Sequence, residues 1–197
     1  TVGPTGPYNG WAGSNPVGTP QPGLNSTTSD NGFLMIDSDF FGADANYDAS
    51  WVENSWVQTV DPIDCSAYPY VSISFETRYR CWDNGASDGS EKCFVEISRD
   101  GTTWPTLTNA YTTEWMNEGM VDYDGEMVQC RYEVFPDSET GYQSDNPSIL
   151  DFDVTGAAGG QGSIWVRFRW VGTWGYSWEI DDVEVYETCL LYTSPSP

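Results

Sequence analysis

Carboxylates are concentrated near the end of the chain, in the stretch Glu179-Ile180-Asp181-Asp182-Val183-Glu184. Two carboxyl groups about 5–5.5 Å apart can cleave a glycosidic bond with retention, one as the nucleophile and the other as the acid/base. Glu179 and Glu184 are the candidates for these roles. Residues five apart on a regular strand point to opposite faces, so only a β-bulge would bring the two together. Catalysis is therefore the minor prediction, and no catalytic residue is assigned.

Aspartates also form two pairs whose oxygens could bind calcium, Asp37 with Asp39 and Asp181 with Asp182. Calcium takes roughly 6–8 oxygen ligands from carboxylates and backbone carbonyls. If the first and last strands lie side by side, the two pairs come close together. The sequence thus predicts a structural Ca²⁺ site from these four residues. The alternative is that they cap turns or face solvent.

Aromatic side chains surround the same acidic stretch, and flat rings on an exposed sheet face can stack on sugars. The candidates for ligand binding are Trp165, Trp174, Tyr176 and Trp178. Aromatic rings in sandwiches usually fill the core or cover the second face, so a structural role is the favoured interpretation and a sugar platform the alternative.

Composition excludes several classes of function. The 197 residues contain 30 acidic and 7 basic side chains, a net charge of −23, and no histidine. The acidic surface would repel a phosphate backbone, so nucleic acid is not expected as a partner. Without histidine, a Ser-His-Asp triad and His-bearing zinc sites are excluded. No apolar run reaches the roughly 18–20 residues of a membrane span.

Short alternating runs separated by turn residues organise the middle of the chain, most clearly at 70–80, 92–98 and 164–170. Period-two alternation is typical of strands with one face in the core. About eight such runs predict an all-β fold, a two-sheet antiparallel β-sandwich of the jelly-roll type. The predicted organisation is a Gly/Pro-rich linker or irregular arm at 1–31, the sandwich at 32–187, and a non-native or disordered tail at 188–197.

The last nine residues, CLLYTSPSP, resemble a translated sequencing adapter and are left out of the fold prediction. Four cysteines then remain: Cys65, Cys81, Cys93 and Cys130. An even number in an exported chain favours two disulfides, with three possible connectivities. Cys81–Cys93 is preferred, as a clip between two neighbouring strands, which leaves Cys65–Cys130. The alternative is four buried thiols.

Several phrases in order resemble a known extracellular module. They are LNSTTSDNGFLMIDSD (24–39), SWVQTVDPIDCSAYPYVSISFETRYR (55–80), FVEISRDGTTW (94–104) and IWVRFRWVGTWGYSWEIDDVEVYE (164–187). Together they are similar to MAM-like and choice-of-anchor J domains over about residues 24–187. This resemblance implies a secreted or surface-attached, non-catalytic domain within a longer multidomain chain. It also implies that one aspartate of W-x-I-D-D-V is a structural calcium ligand.

The acidic stretch separately resembles the E-x-D-x-x-E motif of laminarinase-type glycoside hydrolases, which are also jelly rolls. Asp182 departs from that motif, because the enzymes have an apolar residue there. The favoured function is therefore a calcium-stabilised extracellular recognition module for adhesion or carbohydrate binding, with a glycan or a cell-surface protein as its partner. The alternatives are a glycoside hydrolase fragment using Glu179 and Glu184, or a structural spacer without a ligand.

Overall fold

The computed structural model describes residues 23–37, 53–81, 92–106, 119–136, 138, 141–172 and 176–188. These residues form ten strands, one helical turn and one 3-10 turn. The elements are β1 (Leu34–Asp37), β2 (Glu53–Gln58), β3 (Val71–Arg80), β4 (Lys92–Ser98), β5 (Met120–Tyr123), β6 (Glu126–Gln129), β7 (Arg131–Glu133), β8 (Ser148–Asp153), α1 (Thr155–Ala158), β9 (Trp165–Gly172), β10 (Ser177–Glu187) and the 3-10 turn Ser29–Asn31.

Eight of the strands form two four-stranded sheets, and every pairing within them is antiparallel. The first sheet has the order β1-β10-β3-β8 and the second the order β2-β9-β4-β7, while β5 and β6 form a separate hairpin. The strand orders are those of a jelly roll, in which the chain passes repeatedly from one sheet to the other. The predicted all-β sandwich is confirmed.

The core lies between the two sheets and is built by the period-two pattern of the strands. Phe75 and Tyr79 of β3 face Phe168 and Trp170 of β9 across it, and all four are buried. The rings of Phe75 and Phe168 meet edge to face with centroids 5.1 Å apart, an arrangement that aromatic pairs prefer. Each sheet therefore keeps an outer face, directed away from this core.

The segment 23–33 packs across the outer face of the first sheet. Leu24 and Phe33 form a small buried cluster there with Met35 and Tyr176. The described end of the predicted linker or irregular arm, 23–31, is therefore fixed to the sheet by burial of apolar side chains. Residues 1–22 lie outside the described part.

At the other end, Thr188 is still held, since its backbone N–H donates to the carbonyl of Tyr70 at 3.1 Å. The tail prediction for 189–197 falls outside the described residues. Within the described part of the chain, no helix has the length and apolar character needed to cross a membrane.

Candidate functional site

A β-bulge interrupts the last strand at the acidic stretch. Asp181 of β10 is paired with Glu76 of β3 and Glu184 with Ser74, so two residues of β10 oppose one residue of β3 between these pairs. Asp182 within the bulge has φ of 49°. The extra residue restores the parity of Glu184, so this is the bulge that the sequence analysis required for Glu179 and Glu184 to share a face.

The bulge nevertheless does not assemble a pair of accessible catalytic carboxylates. Glu179 is only 1% exposed, and its Oε1 lies 3.7 Å from Nη1 of Arg78, which is equally buried. Glu184 is exposed at the far side of the bulge. Since glycoside cleavage needs both carboxyls to face one substrate, the burial of Glu179 in an ion pair does not favour this chemistry.

The predicted calcium ligands are only partly brought together. β1 does pair with β10, as expected, but Asp37 lies opposite Ser177 and Leu34 opposite Ile180. Four positions along β10 therefore separate Asp37 from the level of Asp181, roughly 13 Å at about 3.3 Å per residue. This distance is too great for both carboxylates to bind one ion at about 2.3–2.6 Å. Asp39 lies outside the described residues.

Asp181 and Asp182 instead bind the N-terminal segment. The hydroxyl of Ser26 donates to Asp181 at 2.6 Å, and Thr28 donates to Asp182 through its N–H at 3.1 Å and its hydroxyl at 2.7 Å. A shallow groove of about 270 Å³ lies beside them, between 31–34 and 180–183. Among the described residues, no group of three or more histidine, cysteine or acidic side chains has the placement of a metal site.

Two of the predicted ligand-binding aromatics are structural. Trp178 is fully buried in the core, where its indole N–H donates to the hydroxyl of Thr77 at 2.8 Å. Tyr176 is buried in the N-terminal cluster, with the guanidinium carbon of Arg80 3.9 Å from its ring centroid. Both predictions of sugar-facing rings are corrected by this burial. Trp174 lies outside the described residues.

Trp165 is different, because it is half-buried on the outer face of the second sheet. Its ring lies against Gly101, where a Cβ atom would come within 2.9 Å of the indole. Gly101 also has φ of 73°, which favours glycine in the turn after β4. This close contact keeps the Trp165 ring beside the sheet.

The same outer face carries a charged and aromatic cluster, of which the sequence analysis singled out Trp165 alone. We call it the arginine–tryptophan face, formed by Trp56, Glu96, Trp104, Arg131, Trp165, Arg167 and Arg169. The register aligns Trp56 with Arg169, and Arg167 with Glu96 and Arg131. The available signal was the alternation of β9, which directs Arg167 and Arg169 away from the core.

Glu96 is the centre of this face and is fully buried. Its carboxylate accepts from Nε of Arg131 at 2.7 Å and from Nε of Arg167 at 2.6 Å, and Nη1 of Arg169 lies 3.7 Å from it. Arg169 also donates through Nε to the side-chain oxygen of Asn54 at 2.8 Å. Glu96 therefore holds three guanidinium groups in one layer.

Tryptophan rings lie against these guanidinium groups. The guanidinium carbon of Arg167 is 4.2 Å from the Trp104 ring centroid and 5.5 Å from that of Trp56, and that of Arg169 is 6.0 Å from Trp56. These separations allow cation–π attraction. Trp56 remains 46% exposed, so one large ring on this face is open to solvent.

Burial of the arginine side chains on this face disfavours their charged form. Desolvation lowers the pKa of Arg169 to about 10; Glu96 opposes this shift, and the neighbouring charges of Arg167 and Arg131 add to it. Desolvation also lowers the pKa of Arg167 from its ordinary value. Both side chains stay cationic at neutral pH, in an environment that does not fully compensate their charge.

A second concavity lies at one end of the first sheet. It has a volume of about 330 Å³ and is lined by Ile63, Asp64, Cys65, Tyr68, Val71, Val185, Tyr186 and Glu187. Tyr68 is 43% exposed at its rim. Apolar walls with a few polar groups are typical of small-molecule sites, but this pocket has no basic side chain.

The structure contains Cys65, Cys81, Cys93 and Cys130 as buried thiols and not as the predicted disulfides. Cys81 follows β3 of the first sheet, whereas Cys93 lies in β4 of the second. The two cysteines therefore lie on opposite layers and not on the neighbouring strands that the predicted clip assumed. The sulfurs pack in the core cluster as small apolar groups.

No protein-family profile matches the chain, and no curated protein does. Among solved structures, it is similar to the crystal structure of the enzymatically active domain of tailspike protein 4 from bacteriophage CBA120, with a TM-score of 0.37 and 11% identity. The match covers 82% of this chain and 16% of that one. A likeness this distant indicates neither an activity nor a ligand.

Proposed function

We propose that this chain is a non-catalytic extracellular recognition module that binds carbohydrate through the arginine–tryptophan face. The observation that carries the proposal is the exposed ring of Trp56 on a sheet face rich in hydrogen-bonding groups. Secretion or surface attachment, and a place within a longer chain, are the setting that the resemblance to MAM-like modules implies. Binding to a cell-surface glycan is the form of adhesion that this face suits.

The chemistry of the face supports a sugar ligand. An indole offers a flat apolar surface on which the C–H groups of a sugar ring can stack. Arg169 and Asn54 lie beside Trp56 on the sheet, and planar polar groups of this kind set orientation by hydrogen bonding. A strand scaffold holds these groups in fixed positions, which lowers the entropy lost on binding.

Affinity electrophoresis against a panel of neutral and acidic polysaccharides tests this proposal. We expect retardation by at least one polysaccharide, and its loss in Trp56→Ala. Tyr70→Ala is the matched control, because Tyr70 is also a large exposed aromatic at 41% but directly precedes β3 of the first sheet. Absence of retardation by every polysaccharide, or retention in a folded Trp56→Ala variant, would contradict the proposal.

We further propose that calcium stabilises the module through Asp181 and Asp182. Both residues line the groove between β1 and the bulge of β10, together with Asn31 and Gly32 of the N-terminal segment. A ligand that binds the folded state raises the melting temperature. We expect the melting temperature to rise with added CaCl₂, to fall with EDTA, and to respond less in Asp181→Asn. An identical melt in both conditions would contradict a metal role.

A further inference from the structure

We infer that the carbohydrate recognised by the arginine–tryptophan face carries negative charge, as a carboxylate or a sulfate ester. This inference rests on the proposed function and specifies its ligand class.

Positive charge is unevenly distributed in this very acidic chain. All 7 basic residues belong to the described part, against 30 acidic residues in the whole sequence. The outer face of the second sheet holds Lys92, Arg131, Arg167 and Arg169. More than half of the basic side chains thus share one face, where an anionic ligand would meet the least repulsion.

Among the described residues of this face, the balance of charge is also positive. Lys92 is matched by Glu133 at the edge of the sheet. In the middle of the face, Arg167 and Arg169 share the carboxylate of Glu96, so two positive charges face one negative charge. This count leaves out Arg131. Guanidinium groups in a low-dielectric layer bind an anion more strongly than they would in water, because the same charges attract each other more.

The geometry suits an acidic sugar. Arg presents a planar fork of donors that matches the oxygens of a carboxylate or a sulfate. The Arg167 and Arg169 side chains are 8% and 10% exposed beneath the open ring of Trp56. A sugar stacked on Trp56 would place a charged substituent at the edge of that ring, near both guanidinium groups. A neutral sugar would supply the stacking alone.

Isothermal titration at constant pH separates the ligand sources. Polygalacturonate and dextran sulfate are the carboxylate and sulfate probes, and carboxyl-reduced polygalacturonate and unmodified dextran are their uncharged counterparts. We expect at least tenfold tighter binding to one charged probe than to its counterpart, and weaker binding as salt is raised. The charged probe that binds identifies the group recognised.

A charge-matched pair of variants locates the interaction. Arg169→Gln should weaken binding of the charged probe at least tenfold, because Arg169 lies opposite Trp56 and makes the longest contact with Glu96 of the three guanidinium groups. Arg99→Gln removes the same charge near Glu126, away from this face, and should change the affinity less than twofold. The melting temperature of each variant verifies that it is folded.

The possible failures are distinguishable. Equal affinity for the charged and uncharged forms, lost in Trp56→Ala, would overturn this inference and leave the proposed function standing. Equal effects of Arg169→Gln and Arg99→Gln would also overturn it, since they would indicate only a general effect of net charge. Absence of binding to all four polysaccharides would overturn this inference, and absence of retardation by every polysaccharide of the wider panel would overturn the proposed function as well.

Discussion

Asp182 on the last strand accepts two hydrogen bonds from Thr28, a residue 154 positions earlier in the chain. The two residues before Thr28 act in the same way, with Ser26 donating to Asp181 and Thr27 to Glu76. Three consecutive hydroxyl side chains therefore reach three carboxylates on the first sheet. The N-terminal segment is held across that sheet by these contacts together with its apolar cluster.

Substitutions at Asp182 should separate its hydrogen bonds from its backbone conformation. Asp182→Gly removes the carboxylate, and we expect a loss of about 1 kcal/mol in the free energy of unfolding. Asp182→Ala removes the same group but keeps the Cβ that the parent also carries at φ of 49°, so it should be less stable than Asp182→Gly by roughly 1 kcal/mol. Urea denaturation measures both losses. Equal stability of the two variants would show that the bulge relaxes without strain.

Removing the central carboxylate of the arginine–tryptophan face should be far more damaging. Glu96→Gln leaves buried guanidinium groups without their shared counter-charge, and breaking a buried pair in this way costs roughly 3–5 kcal/mol. Glu133→Gln is the control, since the Lys92–Glu133 pair is partly exposed and such pairs contribute about 0–1 kcal/mol. Comparable losses in denaturant titration would indicate that Glu96 is not the electrostatic centre of the face.

Acid should weaken the turn after β4. Desolvation raises the pKa of Asp100, but hydrogen bonds from Thr103, Thr102 and Ser98 outweigh it and hold that pKa well below the ordinary 3.8. The contribution of Asp100 to stability is therefore fully present above its unfolded pKa and is lost as the pH falls through the lower folded value.

We expect Asp100→Asn to be less stable than the parent at pH 7, with a difference that narrows below about pH 4. Thr103→Val should reduce the contribution of Asp100 to stability, because it removes the hydroxyl that donates to Asp100 at 2.7 Å. Unfolding free energies measured from pH 7 to pH 2 give the comparison. A difference that stays constant over this range would mean that the Asp100 charge does not stabilise the fold.

The fold was predicted more fully than the candidate site. Strand alternation is visible in a short stretch of sequence, whereas the exposure of a side chain depends on what packs against it. The apolar positions of β3 and β9 were enough to predict a sandwich, since each strand carries its own period-two signal. The bulge at Asp182 has no such signal, because an unusual φ arises from pairing with β3. Tyr176 and Trp178 likewise could not be placed by pattern, as one is buried by the N-terminal segment and the other by the opposite sheet.

The register between paired strands could not be predicted from the sequence either. Pairing of the first and last strands was expected, but a shift of four positions decides whether Asp37 meets Asp181 or Ser177. Trp56 was missed because β2 is short and its alternation weak, so nothing local shows that its ring stays exposed. The outward parity of Arg167 and Arg169 was visible in β9. Their convergence on Glu96 depends on pairing with β4.

Counting thiols distinguishes the structure from the disulfide prediction. Burial raises the pKa of Cys130 to about 11 and also raises that of Cys65, so both sulfurs should resist a thiol reagent in the native state at pH 8. In denaturant without a reductant, all five cysteines of the chain should react, because the structure carries Cys65, Cys81, Cys93 and Cys130 as thiols. A single reactive thiol under the same conditions would show that two disulfides form in the protein. Repeating the count with reductant is the control, since five thiols must then appear in either case.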